Sequence, residues 1–140
     1  MNTESWRVVR APGPPADLDS PDAWALHAFS DVEREREAAV WGWTDQWAPP
    51  WVWHGVVRHQ EYDRKQMLLV VPASHPEDVA PEPADVVGVA LVVVGREANT
   101  HLLWAGPLAV RPAHAHDGVH DVLLTAVEEE AAALGCTTVV

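Results

Sequence analysis

Three apolar runs lie close together in the middle of the chain: MLLVVPA (67–73), VVGVALVVVG (86–95) and HLLWAGPLAV (101–110). Each is short, rich in valine and leucine, and bounded by turn residues. That is the pattern of a buried strand. The links between them, SHPEDVAPEPAD and REANT, are polar and show no helical periodicity. Strands that follow one another without a crossover helix pair as an antiparallel meander, so this stretch restricts the fold more than any other. Pro107 has no N–H to give a ladder, and a bulge or an unpaired site is predicted there.

Helical signals precede the meander. WRVVR (6–10) reads as a strand and APGPPAD as a turn. Ser20 suits an N-cap, Pro21 the first helical position and Asp22 the first turn. Trp24, Ala25, Ala28, Phe29 and Val32 recur at helical spacing, which predicts a helix from Pro21 to about Trp41. The alternating charges from Glu33 to Glu37 read as a solvated face. Five of the eight tryptophans fall in WGWTDQWAPPWVWH (41–54). Pro49 and Pro50 break one helix and start another, expected from Trp51 to about Lys65, with Glu61 and Lys65 as an i,i+4 pair. The tryptophans form either an aromatic wall for an acceptor or a packed helix junction, and their periodic spacing favours packing.

After the meander comes the loop RPAHAHDG (111–118). Val119, Val122, Leu123, Ala126, Val127 and Leu134 then mark an amphipathic helix that Gly135 ends. TTVV (137–140) begins a strand, parallel to the third meander strand because a crossover helix joins them. The expected class is α+β: an antiparallel meander then a parallel strand, in one mixed sheet flanked by helices.

A chain of 140 residues is one domain, 1–140. Its formal charge is −12, with Lys65 the only lysine. Such a chain repels nucleic acid and anionic membranes, so neither is expected as a partner. Cys136 is the only cysteine, which rules out an internal disulfide and fits a reducing compartment. No apolar run has signal or membrane-spanning length, so a soluble, cytoplasmic protein is expected.

A strand, a loop with glycine and then a helix suit an anion. The first helical N–H groups are unpaired, the helix dipole favours negative charge, and glycine allows close approach. The segment NTHLLWAGPLAVRPAHAHDGVHDVLLTAVEEEAAALGCTTVV (99–140), PDAWALH (21–27) and RHQEYDRK (58–65) resemble the GNAT superfamily of acyl-CoA-dependent N-acetyltransferases, over nearly the whole chain. The resemblance implies acetyl transfer from acetyl-CoA to an amine, by direct attack of the deprotonated amine. It places the donor's pantetheine arm on Leu108, Ala109 and Val110, and its pyrophosphate on the loop after the Arg111-Pro112 turn. In that loop Ala115 stands where the family has Arg or Gln. His116 and Asp117 fill variable positions, Gly118 and Val119 match, and His120 stands where the family has Gly or Ala. The resemblance also implies a further helix and two strands after TTVV. The domain is therefore expected to be incomplete at its C-terminus, as a truncated copy or a fragment, or completed by a partner; the expected acceptor is a small-molecule or peptide amine, with a homodimer as a further option. A catalytically inactive GNAT-like domain used for interaction or dimerisation is the alternative.

No acid lies between His101 and Val110. Glu97, Glu61 and Asp63 are positional candidates for a general base, and Tyr62 is the only tyrosine. His114, His116 and His120 with Asp117 and Asp121 have metal-ligand chemistry, but Gly118 delays the helix that would align them, so a polar loop without metal is expected. His27 and His101 read as packed and His75 as exposed. His54 and His59 lie near the tryptophans and are either bases or structural. Cys136 reads as a small buried residue rather than a nucleophile.

Overall fold

A computed structural model describes residues 5–43 and 47–140. In chain order it contains β1 (Trp6–Arg10), α1 (Trp24–Trp41), α2 (Pro50–Arg58), β2 (Asp63–Pro72), β3 (Gly88–Gly95), β4 (Leu102–Val110), α3 (Val119–Ala133) and β5 (Thr138–Val139). The five strands form one sheet in sequential order. β1 to β4 pair antiparallel, and β5 runs parallel to β4. This is the expected α+β architecture.

The apolar runs are continuous because helices cover both faces of the sheet. Along β2, Met67, Leu69 and Val71 join a core with Leu26, Phe29, Val32, Trp53 and Val57 of α1 and α2. The alternate residues Leu68 and Val70 join a second core with Val119, Leu123 and Val127 of α3. Each of these buried side chains contributes about 1.5–3 kcal/mol of transfer free energy. Gly135 takes a left-handed conformation (φ 73°) and ends α3. Its N–H donates to Ala132 and that of Cys136 to Ala131, which closes a Schellman motif.

Several expectations change. The second helix stops at Arg58, and residues 63–66 already belong to β2. The Gln60 side chain bonds the carbonyls of Val57 and Lys65 and the N–H of Lys65, which replaces helical bonds with a turn. Lys65 consequently pairs with Asp63 at 2.7 Å rather than with Glu61. Ser20 precedes the first helical turn but makes no capping bond; its hydroxyl engages Asp17. The Glu33–Glu37 block is not uniformly solvated: Glu33 is half-buried, and Glu35 pairs with Arg111. His101 is exposed, whereas His75 is half-buried and bonds the Val79 carbonyl at 2.9 Å.

The bulge at Pro107 is present. Ala90 faces Leu108 and Val92 faces Ala105, so β4 carries one residue more than β3 between these pairs.

Candidate functional site

The lower half of β4 has a free edge. Pairing with β5 covers Leu102 and Leu103, and the N–H of Ala105 reaches the Val140 carbonyl. Beyond the bulge, Leu108–Val110 pair only with β3 among the described residues. The Arg111 N–H donates to the Val87 carbonyl at 2.8 Å. Strand alternation then turns Ala109 toward β3 and the backbone groups of Leu108 and Val110 toward the open edge.

This edge runs into the loop and the start of α3. Gly118 is left-handed (φ 84°) and occupies the N-cap, with no side-chain cap bond. The first helical bond runs from Val122 to the Gly118 carbonyl, so the N–H groups of Val119, His120 and Asp121 face outward. Gly88 of β3 brings the helix onto the sheet: a Cβ there would lie 2.6 Å from Cγ1 of Val119.

Two side chains hold the loop: Trp6, for which the sequence carries no signal of a role, and Arg111, which it places only in the turn. The Trp6 indole donates to the Asp117 carbonyl at 2.8 Å, and its ring meets His114 edge-on at 5.3 Å. His114 Nδ1 lies 2.9 Å from Asp117 Oδ2. Arg111 is buried, and its Nε donates to the Val86 carbonyl at 2.6 Å. Its Nη2 donates to the Pro83 carbonyl at 2.8 Å and to Asp31 at 2.7 Å, and Nη1 pairs with Glu35. The acids of α1 thus anchor the base of the loop. The only sequence signal for this was two acids spaced one turn apart in a helix and a lone arginine at a strand end.

Ala115 and His120 line one cavity of about 360 Å³ together with Val110, Pro112 and the Arg36, Ala39 and Val40 segment of α1. Arg36 makes no ion pair or side-chain hydrogen bond among the described residues. The structure thus brings residues 108–110 and 115–120 into one continuous region.

It does not bring the base candidates there. Glu61 is exposed in the turn before β2, with its carboxyl pKa lowered chiefly by a backbone hydrogen bond; Tyr62 is exposed beside it. Asp63 is occupied by Lys65. His27 and His54 bond the Leu18 and Pro15 carbonyls, and His59 sits near Glu61. Among the described residues no three His, Cys, Asp or Glu side chains converge as metal ligands.

The tryptophans divide. Trp53 is buried against Phe29, with ring centroids 4.7 Å apart. Trp41, Trp43 and Trp51 are 55%, 54% and 67% exposed, and so do not serve as a packed junction. Trp41 and Trp43 stack at 6.4 Å with planes 23° apart. Residues 44–46 of this stretch lie outside the described residues. Glu33 Oε1 and the Trp53 indole N–H are both buried without a hydrogen bond among the described residues. Burial pushes the Glu33 carboxyl up, and the nearby indole N–H offsets only part of the rise.

This arrangement defines an α+β domain with an open strand edge leading to a helix N-terminus, and solved structures share the fold of the domain. A tandem GNAT protein from the clavulanic acid biosynthesis pathway superposes with a TM-score of 0.68 at 16% identity, over 96% of this chain and 35% of that one. An aminoglycoside acetyltransferase from an uncultured soil metagenomic sample gives 0.62 at 15% identity, over 99% and 77%. A GCN5-related N-acetyltransferase from Kribbella flavida gives 0.59 at 18% identity, over 96% and 69%. The chain therefore has the GNAT fold and spans about a third of the tandem protein. No family model matches the sequence, and no curated protein matches it. No helix among the described residues is long and apolar enough to cross a membrane.

Proposed function

We propose that this domain is an N-acetyltransferase of the GNAT type, using acetyl-CoA as donor and a small-molecule amine as acceptor. The observation that carries this reading is the continuity of the unpaired β4 edge at Leu108–Val110 with the Gly118-capped start of α3. The donor would supply a thioester-activated acetyl group. The outward backbone groups of Leu108 and Val110 suit the two amides of a pantetheine arm. The amides of Gly118, Val119 and His120 suit its pyrophosphate, whereas that of Asp117 is spent on the His114 carbonyl. Asp117 and Asp121 oppose that charge, and Arg36 supplies from α1 the cation that Ala115 does not. The stacked, exposed Trp41 and Trp43 suit the apolar faces of a ring-containing amine, in keeping with the aminoglycoside acetyltransferases among the fold's relatives.

A second reading is a GNAT-like domain that no longer binds the donor and serves interaction or dimerisation. It is favoured by His120, whose ring lines the cavity where the family has Gly or Ala. Calorimetric titration with acetyl-CoA, beside a His120→Gly variant, separates the two. Micromolar binding by the natural chain supports the enzyme. Binding by the variant alone supports a lost donor site on an intact fold.

A further inference from the structure

At the end of the sheet away from the loop, three arginines from neighbouring strands gather over one cleft. Arg10 ends β1, Arg64 lies at the start of β2, and Arg96 follows β3. With Val92, Val94 and Glu130 they line a cavity of about 300 Å³ on the α3 face. The face follows from alternation: Leu68, Val92 and Val94 all pack in the α3 core, and Arg64, Gln66 and Arg96 keep the same parity. Eight arginines serve the whole chain, and three of them meet here against a formal charge of −12. That concentration runs against the field of the molecule and calls for a local cause.

The charges are only partly spent inside the protein. Arg10 pairs with Glu130 and donates to Gln66 Oε1 at 3.3 Å. Arg96 uses Nε on the Gln60 carbonyl. Its terminal nitrogens, and the whole Arg64 guanidinium, have no partner among the described residues. Lys65 also lines the cleft, but Asp63 pairs with it at 2.7 Å; Glu130 is the single acid in the lining among the described residues and Arg10 takes it, so the charges of Arg64 and Arg96 remain uncompensated. Packing needs neither of them, since Arg64 and Arg96 are exposed. Helix-end stabilisation accounts for one cation near the C-terminus of α3, and Arg10, paired with Glu130 in the last turn, already stands there.

The geometry points to a second, unassigned site: a cleft that binds the phosphate group of a small phosphorylated molecule between the β1–β3 ends and the last turns of α3. Planar guanidiniums arriving from different strands match the several oxygens of a phosphate better than a single carboxylate. The Val92 and Val94 floor leaves room for a short organic portion. The site stands independently of the acetyl-transfer reading, because it lies at the opposite end of the sheet.

Inorganic pyrophosphate is the probe, titrated into ¹⁵N-labelled protein at low ionic strength, where exposed charges are least screened. The expected result is saturable amide shifts at Arg64, Gln66 and Arg96. Arg64→Gln with Arg96→Gln should weaken these at least tenfold, with the remaining spectrum unchanged. Succinate should bind at least tenfold more weakly than pyrophosphate. Shifts absent from residues 64–66 and 94–96, undiminished affinity in the double variant, or equal binding of succinate would each overturn the assignment. Shifts confined to residues 115–120 would do so as well, while locating an anion at the loop.

Discussion

The indole N–H of Trp6, in the first strand, donates to the main-chain carbonyl of Asp117, 111 residues later, at 2.8 Å. It is a direct bond between the sheet and the residue before the Gly118 cap. Trp6→Phe keeps most of the packing and removes the donor. A loss of about 1 kcal/mol of stability is expected, together with faster amide exchange at Gly118 and Val119. Unfolding and hydrogen-exchange measurements check both. Unchanged exchange would show that the bond does not order the loop.

Gly88 and Val119 test how tightly α3 must sit on the sheet. In Gly88→Ala the new methyl would lie 2.6 Å from Val119 Cγ1 and 3.2 Å from Leu123 Cδ1. Overpacking of this kind costs typically 1–3 kcal/mol. Adding Val119→Ala should recover part of the loss, so the two substitutions are non-additive in a double-mutant cycle. Additive losses would mean that the methyl is accommodated elsewhere.

Arg111→Met should cost on the order of 2–3 kcal/mol, because the Val86 and Pro83 carbonyls lose their donor. The cost stays below that of a fully buried ion pair because Asp31 and Glu35 are half exposed to water. Arg111→Lys should lie between, keeping the charge but not the fork. Denaturant midpoints across the three proteins give the ranking.

On the proposed acetyl-transfer reading, Arg36→Ala should weaken acetyl-CoA about tenfold in calorimetry, a value ordinary for one charge-assisted contact, while leaving the melting temperature unchanged. A Kd equal to that of the natural chain would show that Arg36 does not substitute for the residue missing at 115.

Glu33 sets a pH dependence. Burial raises its pKa in the folded state above the ordinary 4.5, so the folded protein holds a proton that the unfolded chain has released. Between 4.5 and the raised value, stability therefore falls as pH rises. Glu33→Gln removes that loss. The variant should gain stability relative to the natural chain at pH 7 and show no such gain below pH 4.5. Thermal melts at the two pH values decide it, and an equal difference at both would remove the titration from the explanation.

The meander strands and their order were legible from the apolar runs, because short valine- and leucine-rich runs without a helix between them have one simple interpretation; the place of β1 beside β2 was not. The Pro107 bulge was legible from a missing N–H. The end of α2 was not, since it depends on three bonds from the single Gln60 side chain, which no periodicity reports. The tryptophan stretch misled for a related reason: helical spacing marks a face but not what covers it, and among its described tryptophans Trp53 is buried, Trp47 is half-buried under Arg34, and Trp41, Trp43 and Trp51 are exposed. In the site, the loop's frame could be read from Gly118 and the apolar helix after it. The contributions of Trp6, Arg36, Asp31 and Glu35 come from elements distant in sequence, and composition is silent about them.

The Arg111 anchorage also bears on whether the loop can be transplanted. A peptide or chimera carrying only β4, the loop and α3 would retain every residue of the recognisable motif. It would lack Asp31, Glu35 and the carbonyls of Pro83 and Val86, and with them the posts to which the loop is moored. The local sequence spells the motif, but its shape is on loan from the first helix.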